Sequence, residues 1–228
     1  MPEPNALLRT ELAGRLAELT PRIPESVRLI AVSKTFSPEV IRAAYAEGLR
    51  DFGENKIQEA LSKQSELDDL VDVVWHFIGH VQSNKSRKVI ENFDWIHSVD
   101  SLKLATRMDR QAAELNRAPK CCLQVKVMSD PSKDGFEVDE LMAALPALDK
   151  LTHISICGLM VILPYGLSAA ETQAGFATAK KLAVSISDRD WVNLKMSELS
   201  MGMSGDFEAA IAQGATLIRI GSGLFGQR

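Results

Sequence analysis

Leu29-Ile30-Ala31-Val32-Ser33-Lys34 is a short apolar run that ends on a lysine, too brief for a helix and without polar alternation. A strand that is apolar at successive positions is buried on both faces, the condition of a parallel sheet covered by helices. The same pattern recurs along the chain. Arg28–Ser33, Val73–Ile78, Trp95–Ser98, Cys121–Val127, Ile154–Met160, Met196–Ser200 and Thr216–Ile220 read as strands, and Asp51-Phe52 as a weaker one. Helical stretches separate them. Ser37 caps a helix with Pro38 at its first position and Gly48 past its end. Ala105, Met108, Ala112 and Leu115 form an apolar stripe, and Asp206 begins a helix that Gly214 closes. Ahead of the first strand, Leu8, Leu12, Leu16 and Leu19 share one face of a leading helix over 6–20, ended before Pro21. Eight βα units in a chain of 228 residues predict an α/β fold, a single (β/α)8 TIM-type barrel with a leading N-terminal helix, occupying 1–228 as one domain.

Chemistry in such barrels sits at the C-terminal ends of the strands. Lys34 leaves the first strand there, where desolvation would lower its pKa and expose a nucleophilic amine. Taken alone, it reads as well as a solvated rim lysine. Arg219-Ile220-Gly221-Ser222-Gly223-Leu224-Phe225-Gly226 contains a literal G-x-G-x-x-G, but a dinucleotide site needs a long following helix and an acidic residue about 20 positions on. What remains is a glycine-rich turn after strand eight, suited to a phosphate, with Ser222 as an added hydroxyl donor. Ser200-Met201-Gly202-Met203-Ser204-Gly205, after strand seven, offers a similar turn or a plain flexible loop. Arg219 interrupts an apolar strand and points either at a ligand inside the barrel or outward at a helix. His76 and His80 flank a strand end and do not share a helix face, so no metal is expected, and His76 reads as a hydrogen-bonded strand residue.

A formal charge of −4 and a pI near 5.6 argue against a nucleic-acid partner. No segment approaches 18 uninterrupted apolar residues and the start lacks a basic region followed by an apolar one, so a cytoplasmic protein without membrane partners is expected. Cys121, Cys122 and Cys157 are an odd set within apolar runs, which suits buried reduced thiols.

Together, Ala31-Val32-Ser33-Lys34-Thr35, Phe52-Gly53-Glu54-Asn55-Lys56-Ile57-Gln58-Glu59, His76-Phe77-Ile78-Gly79-His80-Val81-Gln82-Ser83-Asn84-Lys85, Gly158-Leu159-Met160, Leu199-Ser200-Met201-Gly202-Met203-Ser204 and Arg219-Ile220-Gly221 resemble the pyridoxal phosphate homeostasis protein family. These are single-barrel relatives of the alanine racemase N-terminal domain, of fold type III among proteins that use pyridoxal 5′-phosphate (PLP). The resemblance covers about residues 28–226 and implies PLP as cofactor. It implies a Schiff base on Lys34, Arg219 at the pyridine nitrogen, and a phosphate held by Ser200, Gly221 and Ser222 with the Met203-Ser204 loop. It further implies Asn55 and His76 at the ring face or its O3′ side, and Met160 packed near the ring. Two segments and the end depart from the family pattern: Val161-Ile162-Leu163-Pro164 is one residue longer than usual, Phe36-Ser37-Pro38 replaces a lysine-proline continuation, and Gln227-Arg228 stands where the family commonly has an aromatic or basic tail.

The function so implied is PLP binding for homeostasis, as a carrier that buffers or supplies PLP to client enzymes without efficient catalysis, as a monomer or weak dimer. The rival is an amino-acid racemase of the alanine racemase type, which would call for an added β-rich domain carrying a tyrosine. A phosphosugar-binding barrel would share the phosphate cup but leave Lys34 and Arg219 unexplained as a pair.

Overall fold

The computed structural model describes residues 4–226, with side chains from residue 9. The chain enters through α1 (Pro4–Leu19), and a 3-10 turn at Thr20–Arg22 takes up Pro21. The buried side chains of Leu12 and Leu19 and the partly buried Leu16 seat the helix as expected, while the side chain of Leu8 lies outside the described residues. Then follow β1 (Arg28–Val32), α2 (Pro38–Ala46), β2 (Asp51–Glu54), α3 (Ile57–Glu66), β3 (Val74–Phe77), α4 (Ser86–Asn92), β4 (Trp95–Val99) and α5 (Leu102–Leu115). The second half contains β5 (Lys120–Lys126), β6 (Phe136–Glu137), α6 (Val138–Leu148), β7 (Ser155–Met160), α7 (Ala169–Ser187), β8 (Glu198–Met203), α8 (Phe207–Ala212), β9 (Leu217–Ile220) and α9 (Ser222–Phe225).

The strands pair in parallel in the order β1-β2-β3-β4-β5-β7-β8-β9. Pairing of β9 back onto β1, with Ile30 opposite Arg219, closes an eight-stranded barrel. Alternation decides what faces the lumen. Ala31, Phe52, Phe77, Ile96, Leu123, Leu159, Leu199 and Ile218 point outward into the main core beneath the helices. Ile30, Trp95, Cys122, Cys157, Met160 and Leu217 point inward and form a smaller core inside the barrel. All three cysteines are buried free thiols.

Two strand expectations need correction. β8 runs on to Met203, three residues beyond its expected end at Ser200, because the bulged segment Met201-Gly202-Met203 keeps pairing with β9 up to Arg219 while Gly202 takes φ +91°. The two-residue β6, paired outside the barrel on β5, carried no sequence pattern at all. Among the helices, Ser37 and Pro38 start α2 and Gly48 follows it at φ +95°, the left-handed position that glycine adopts without a Cβ clash. Asp206 stands at the N-cap of α8, yet its carboxylate accepts from Met203 N–H at 2.6 Å instead of capping the helix. No described helix is long and apolar enough to cross a membrane.

Candidate functional site

A cavity of about 580 Å³ opens at the C-terminal ends of the strands. Seven of the residues singled out in the sequence line it: Lys34 after β1, Asn55 after β2, Met203 and Ser204 at the end of β8, Arg219 in β9, and Gly221 and Ser222 after it. The volume lies within the roughly 300–1,000 Å³ typical of small-molecule sites.

Arg219 points inward and is only 4% exposed. Its Nη1 donates to the Ser200 carbonyl at 2.7 Å and to Ser200 Oγ at 2.6 Å, and its Nη2 donates to the Val161 carbonyl at 2.9 Å. Burial lowers its pKa to about 10, so it remains a cation at neutral pH. After the neighbouring strand β1, Lys34 is braced from behind. Ser33 Oγ donates to Glu54 Oε1 at 2.7 Å, and Lys63 Nζ bonds the Ser33 carbonyl at 2.9 Å, Glu54 Oε1 at 2.8 Å and Glu59 Oε1 at 2.7 Å. Glu59 also accepts from Thr35 N–H, which helps hold Thr35 at φ +69°. The residues on either side of Lys34 are thereby tied to α3. Burial pushes the Glu54 carboxyl up in pKa against the pull of Lys63 and Ser33. For Glu59, burial acts the same way but is outweighed by Lys63 and the Thr35 amide, so its pKa is lowered.

The backbone after β9 forms an oxygen cradle. The amides of Gly221 and Gly223 both donate to Ser204 Oγ, at 3.3 and 3.2 Å, so two N–H groups already converge on one oxygen at the start of the short α9. After β2, two strands along the barrel from β9, the Oδ1 atom of Asn55 is buried without a hydrogen-bond partner. Its backbone is backed by Gly79, where an added Cβ would sit 2.1 Å from the Asn55 carbonyl oxygen. A converging amide pair, a buried cation and an amine are donors and a nucleophile that an aromatic aldehyde phosphate would use, beside one orphaned acceptor, and in that chemical sense the cavity fits PLP.

Three expected ligand residues are elsewhere. Ser200 is fully buried, and its hydroxyl lies between Arg219 and His97 Nδ1, 2.8 Å away, instead of in the phosphate cradle. Met160 belongs to the apolar core inside the barrel. His76 is fully buried between Asp51 and His97. The strand register explains all three: Met160 is opposite Ser200 and Ser200 opposite Leu217, whereas Met203 is opposite Arg219, so the first pair lies a layer below the cavity floor. His76 pairs with Gly53 and Trp95, likewise below the mouth. Conversely, Phe36, Ile78 and Ile162 line the cavity without having been singled out. Phe36 and Ile162 fall in the two segments that depart from the family pattern. An apolar side chain just past a strand's C-terminal end was the available signal.

A family model described as the alanine racemase N-terminal domain matches residues 9–228. The pyridoxal phosphate homeostasis protein of Synechocystis sp. is 51% identical over 212 residues, which cover 93% of this chain and 96% of that protein. The chain belongs to the pyridoxal phosphate homeostasis protein family. Among solved structures, PipY of Synechococcus elongatus without PLP superposes with a TM-score of 0.92 at 55% identity, covering 94% of this chain and all of PipY. The structure of PipY with PLP bound gives a TM-score of 0.90 at 54% identity and the same coverage. An alanine racemase from Clostridium difficile shares only the fold, with a TM-score of 0.80 at 16% identity, over 95% of this chain and 56% of the racemase. Family membership therefore rests on sequence over nearly the whole barrel, and the likeness to the racemase structure is one of fold.

Proposed function

We propose that the protein binds PLP in the cavity at the barrel mouth, tethered through Lys34, and serves PLP homeostasis as a carrier that buffers or supplies the cofactor. The observation that carries this reading is the placement of Lys34, the buried Arg219 and the Gly221 turn, whose amide converges with that of Gly223, around one cavity, in a chain 51% identical to one PLP homeostasis protein. When bound, PLP supplies an aldehyde that condenses reversibly with an amine and a ring that can accept electron density.

Each residue has a part in this reading. Lys34 provides the amine, held in place by the Ser33 and Thr35 anchors on α3. Gly221, Ser222 and Gly223, with Met203 and Ser204 beside them, receive the phosphate, the Ser204 hydroxyl giving up its place as acceptor to a phosphate oxygen. Arg219 faces the pyridine nitrogen as a donor that cannot readily surrender a proton there, and Asn55 faces the ring's oxygen side.

The same geometry supports weak rather than efficient catalysis. Among the described residues, Lys34 and Arg219 are the only ionisable side chains on the cavity wall. Tyr45 bonds Asp72 and Tyr165 is fully exposed, so neither reaches the cavity to serve as a second acid or base. The three buried thiols suit a cytoplasmic setting. Client enzymes would be those that use PLP, reached by a monomer or a weak dimer, and residues 1–228 would act as one domain.

The test is the visible spectrum of the purified protein after PLP addition, followed by borohydride reduction and mass analysis. Wild type should show a PLP band and one trapped cofactor on Lys34, and Lys34→Ala should show neither. Trapping at another lysine with undiminished yield in that variant would overturn the assignment. Incubation with L- or D-alanine in deuterated water should give no Cα exchange near about 1 s⁻¹, the low end of ordinary turnover.

A further inference from the structure

Below the cavity floor a file of buried polar side chains crosses the barrel. Asp51 Oδ1 lies 2.8 Å from His76 Nε2, His76 Nδ1 lies 2.9 Å from His97 Nε2, His97 Nδ1 lies 2.8 Å from Ser200 Oγ, and Ser200 Oγ lies 2.6 Å from Arg219 Nη1. His76, His97 and Ser200 are fully buried, and the file runs from β2, β3 and β4 on one side of the lumen to β8 and β9 on the other. Residues of this type in strands buried on both faces have no water to turn to, so each must satisfy its neighbour.

The two ends dictate the direction of every bond. Guanidinium only donates, so Ser200 Oγ accepts from Arg219; a serine oxygen can accept twice, and it is the accept-only Asp51 at the other end, with both rings neutral, that sends the Ser200 proton to His97 Nδ1. His97 must then carry its proton on Nε2 and donate to His76 Nδ1, and His76 must carry its proton on Nε2 and donate to Asp51, whose carboxylate only accepts. Every dipole in the file thus presents its negative end to Arg219 and its positive end to Asp51. Arg219 needs such help: its direct acceptors are neutral Ser200 and Val161 atoms, and among the described residues no carboxylate forms an ion pair with it. Asp206 acts on it only through space. Asp51 also meets Arg28 at 3.5 Å, at the exposed end of the file.

We infer that Asp51, His76, His97 and Ser200 form a one-directional hydrogen-bond relay that supplies the buried Arg219 guanidinium with its counter-charge from the far side of the barrel and fixes its place in the cavity floor. All four are positioning residues. The relay stands on the protein alone; its effect on bound cofactor rests on the PLP reading above. Burial keeps both rings neutral, which the file requires, since a protonated imidazole would have no acceptor nitrogen for its neighbour.

The decisive measurement is two-bond ¹H–¹⁵N correlation of the imidazoles in ligand-free protein at neutral pH. Both rings should be neutral, with Nε2 protonated and Nδ1 a bonded acceptor. A proton on Nδ1 of either ring would overturn the relay. Asp51→Asn should move the His97 Nδ1 resonance although Asp51 does not touch His97; an unmoved resonance would also overturn it. In PLP titrations, Asp51→Asn and Ser200→Ala should each weaken binding roughly tenfold, and the double variant should be no weaker than the worse single, because both cut one chain. Multiplying losses would mean that the two ends act independently and would refute the inference. Should wild type bind no PLP, the cofactor reading fails while the nitrogen pattern still decides the relay.

Discussion

Acidification from pH 7 to pH 5 should destabilise the ligand-free protein through His97, by at most about 2 kcal/mol. Burial, then the neighbouring His76 and the Arg219 cation, push the pKa of this ring well below its ordinary value. In the unfolded chain the ring titrates near 6.5. Below that value the unfolded state takes up a proton that the folded state refuses, so stability falls as pH falls, by up to about 1.4 kcal/mol per pH unit, until the folded pKa is reached. Integrated over the two units, the loss is at most a roughly thirtyfold rise in the unfolding constant. His76 shifts in the same direction, burial outweighing the pull of Asp51, and adds a smaller loss. Glu59 and Asp149, whose pKa values are lowered, lose their contributions only at more acid pH, whereas Glu54, whose pKa burial raises, works against the histidines as pH falls, so the comparison with a His97 variant isolates the histidine part. The assay is urea unfolding followed by far-UV circular dichroism at pH 7, 6 and 5 for wild type and His97→Gln, whose amide keeps a neutral donor and acceptor in place. The variant should show a pH dependence shallower by about one proton below pH 6. Parallel curves for the two proteins would mean that His97 is protonated in the folded state, and the reasoning would fail.

Two further outcomes follow from the cavity and its supports. Ser222→Ala should weaken PLP by about 1.5–3 kcal/mol, the range of a bond to a charged group, and leave pyridoxal, which lacks the phosphate, nearly unchanged; equal losses in paired titrations would remove Ser222 from the phosphate cradle. Lys63→Met strips the cation from the buried Glu54 and the half-buried Glu59, and should cost about 3–5 kcal/mol in urea unfolding of the ligand-free protein, with under about 1 kcal/mol counting against the brace behind Lys34.

The barrel was legible because its strands are buried on both faces and so read as unbroken apolar runs, whereas β6 has two residues and no pattern to read. Lys34 and Ser222 were legible because position after a strand end is a local property. Depth inside the lumen is not local. It comes from the stagger between neighbouring strands, and a bulge between Ser200 and Met203 changes that stagger within one element. Ser200, Met160 and His76 were therefore assigned to the right side of the sheet but to the wrong layer. The same limit left the direction of Arg219 open, since Ile218 and Ile220 are as apolar as the residues facing the lumen.

His97 shows what a different question of the same sequence would have returned. Trp75-His76-Phe77 and Ile96-His97-Ser98 each place a histidine at the centre of a strand buried on both faces, in two successive strands that must pair. An isolated histidine in such a place reads as a satisfied core residue, which is why neither drew attention to the other. The parallel ladder already uses the backbone N–H groups, so an acceptor nitrogen of either ring finds its donor in a side chain. Each ring has to find side-chain partners across the lumen, and a partner for a neutral ring must in turn be satisfied. That requirement ends only at groups that donate alone or accept alone. In this file those groups are Arg219 in β9 and Asp51 at the start of β2, and the file from one to the other leaves no buried ring nitrogen unpaired.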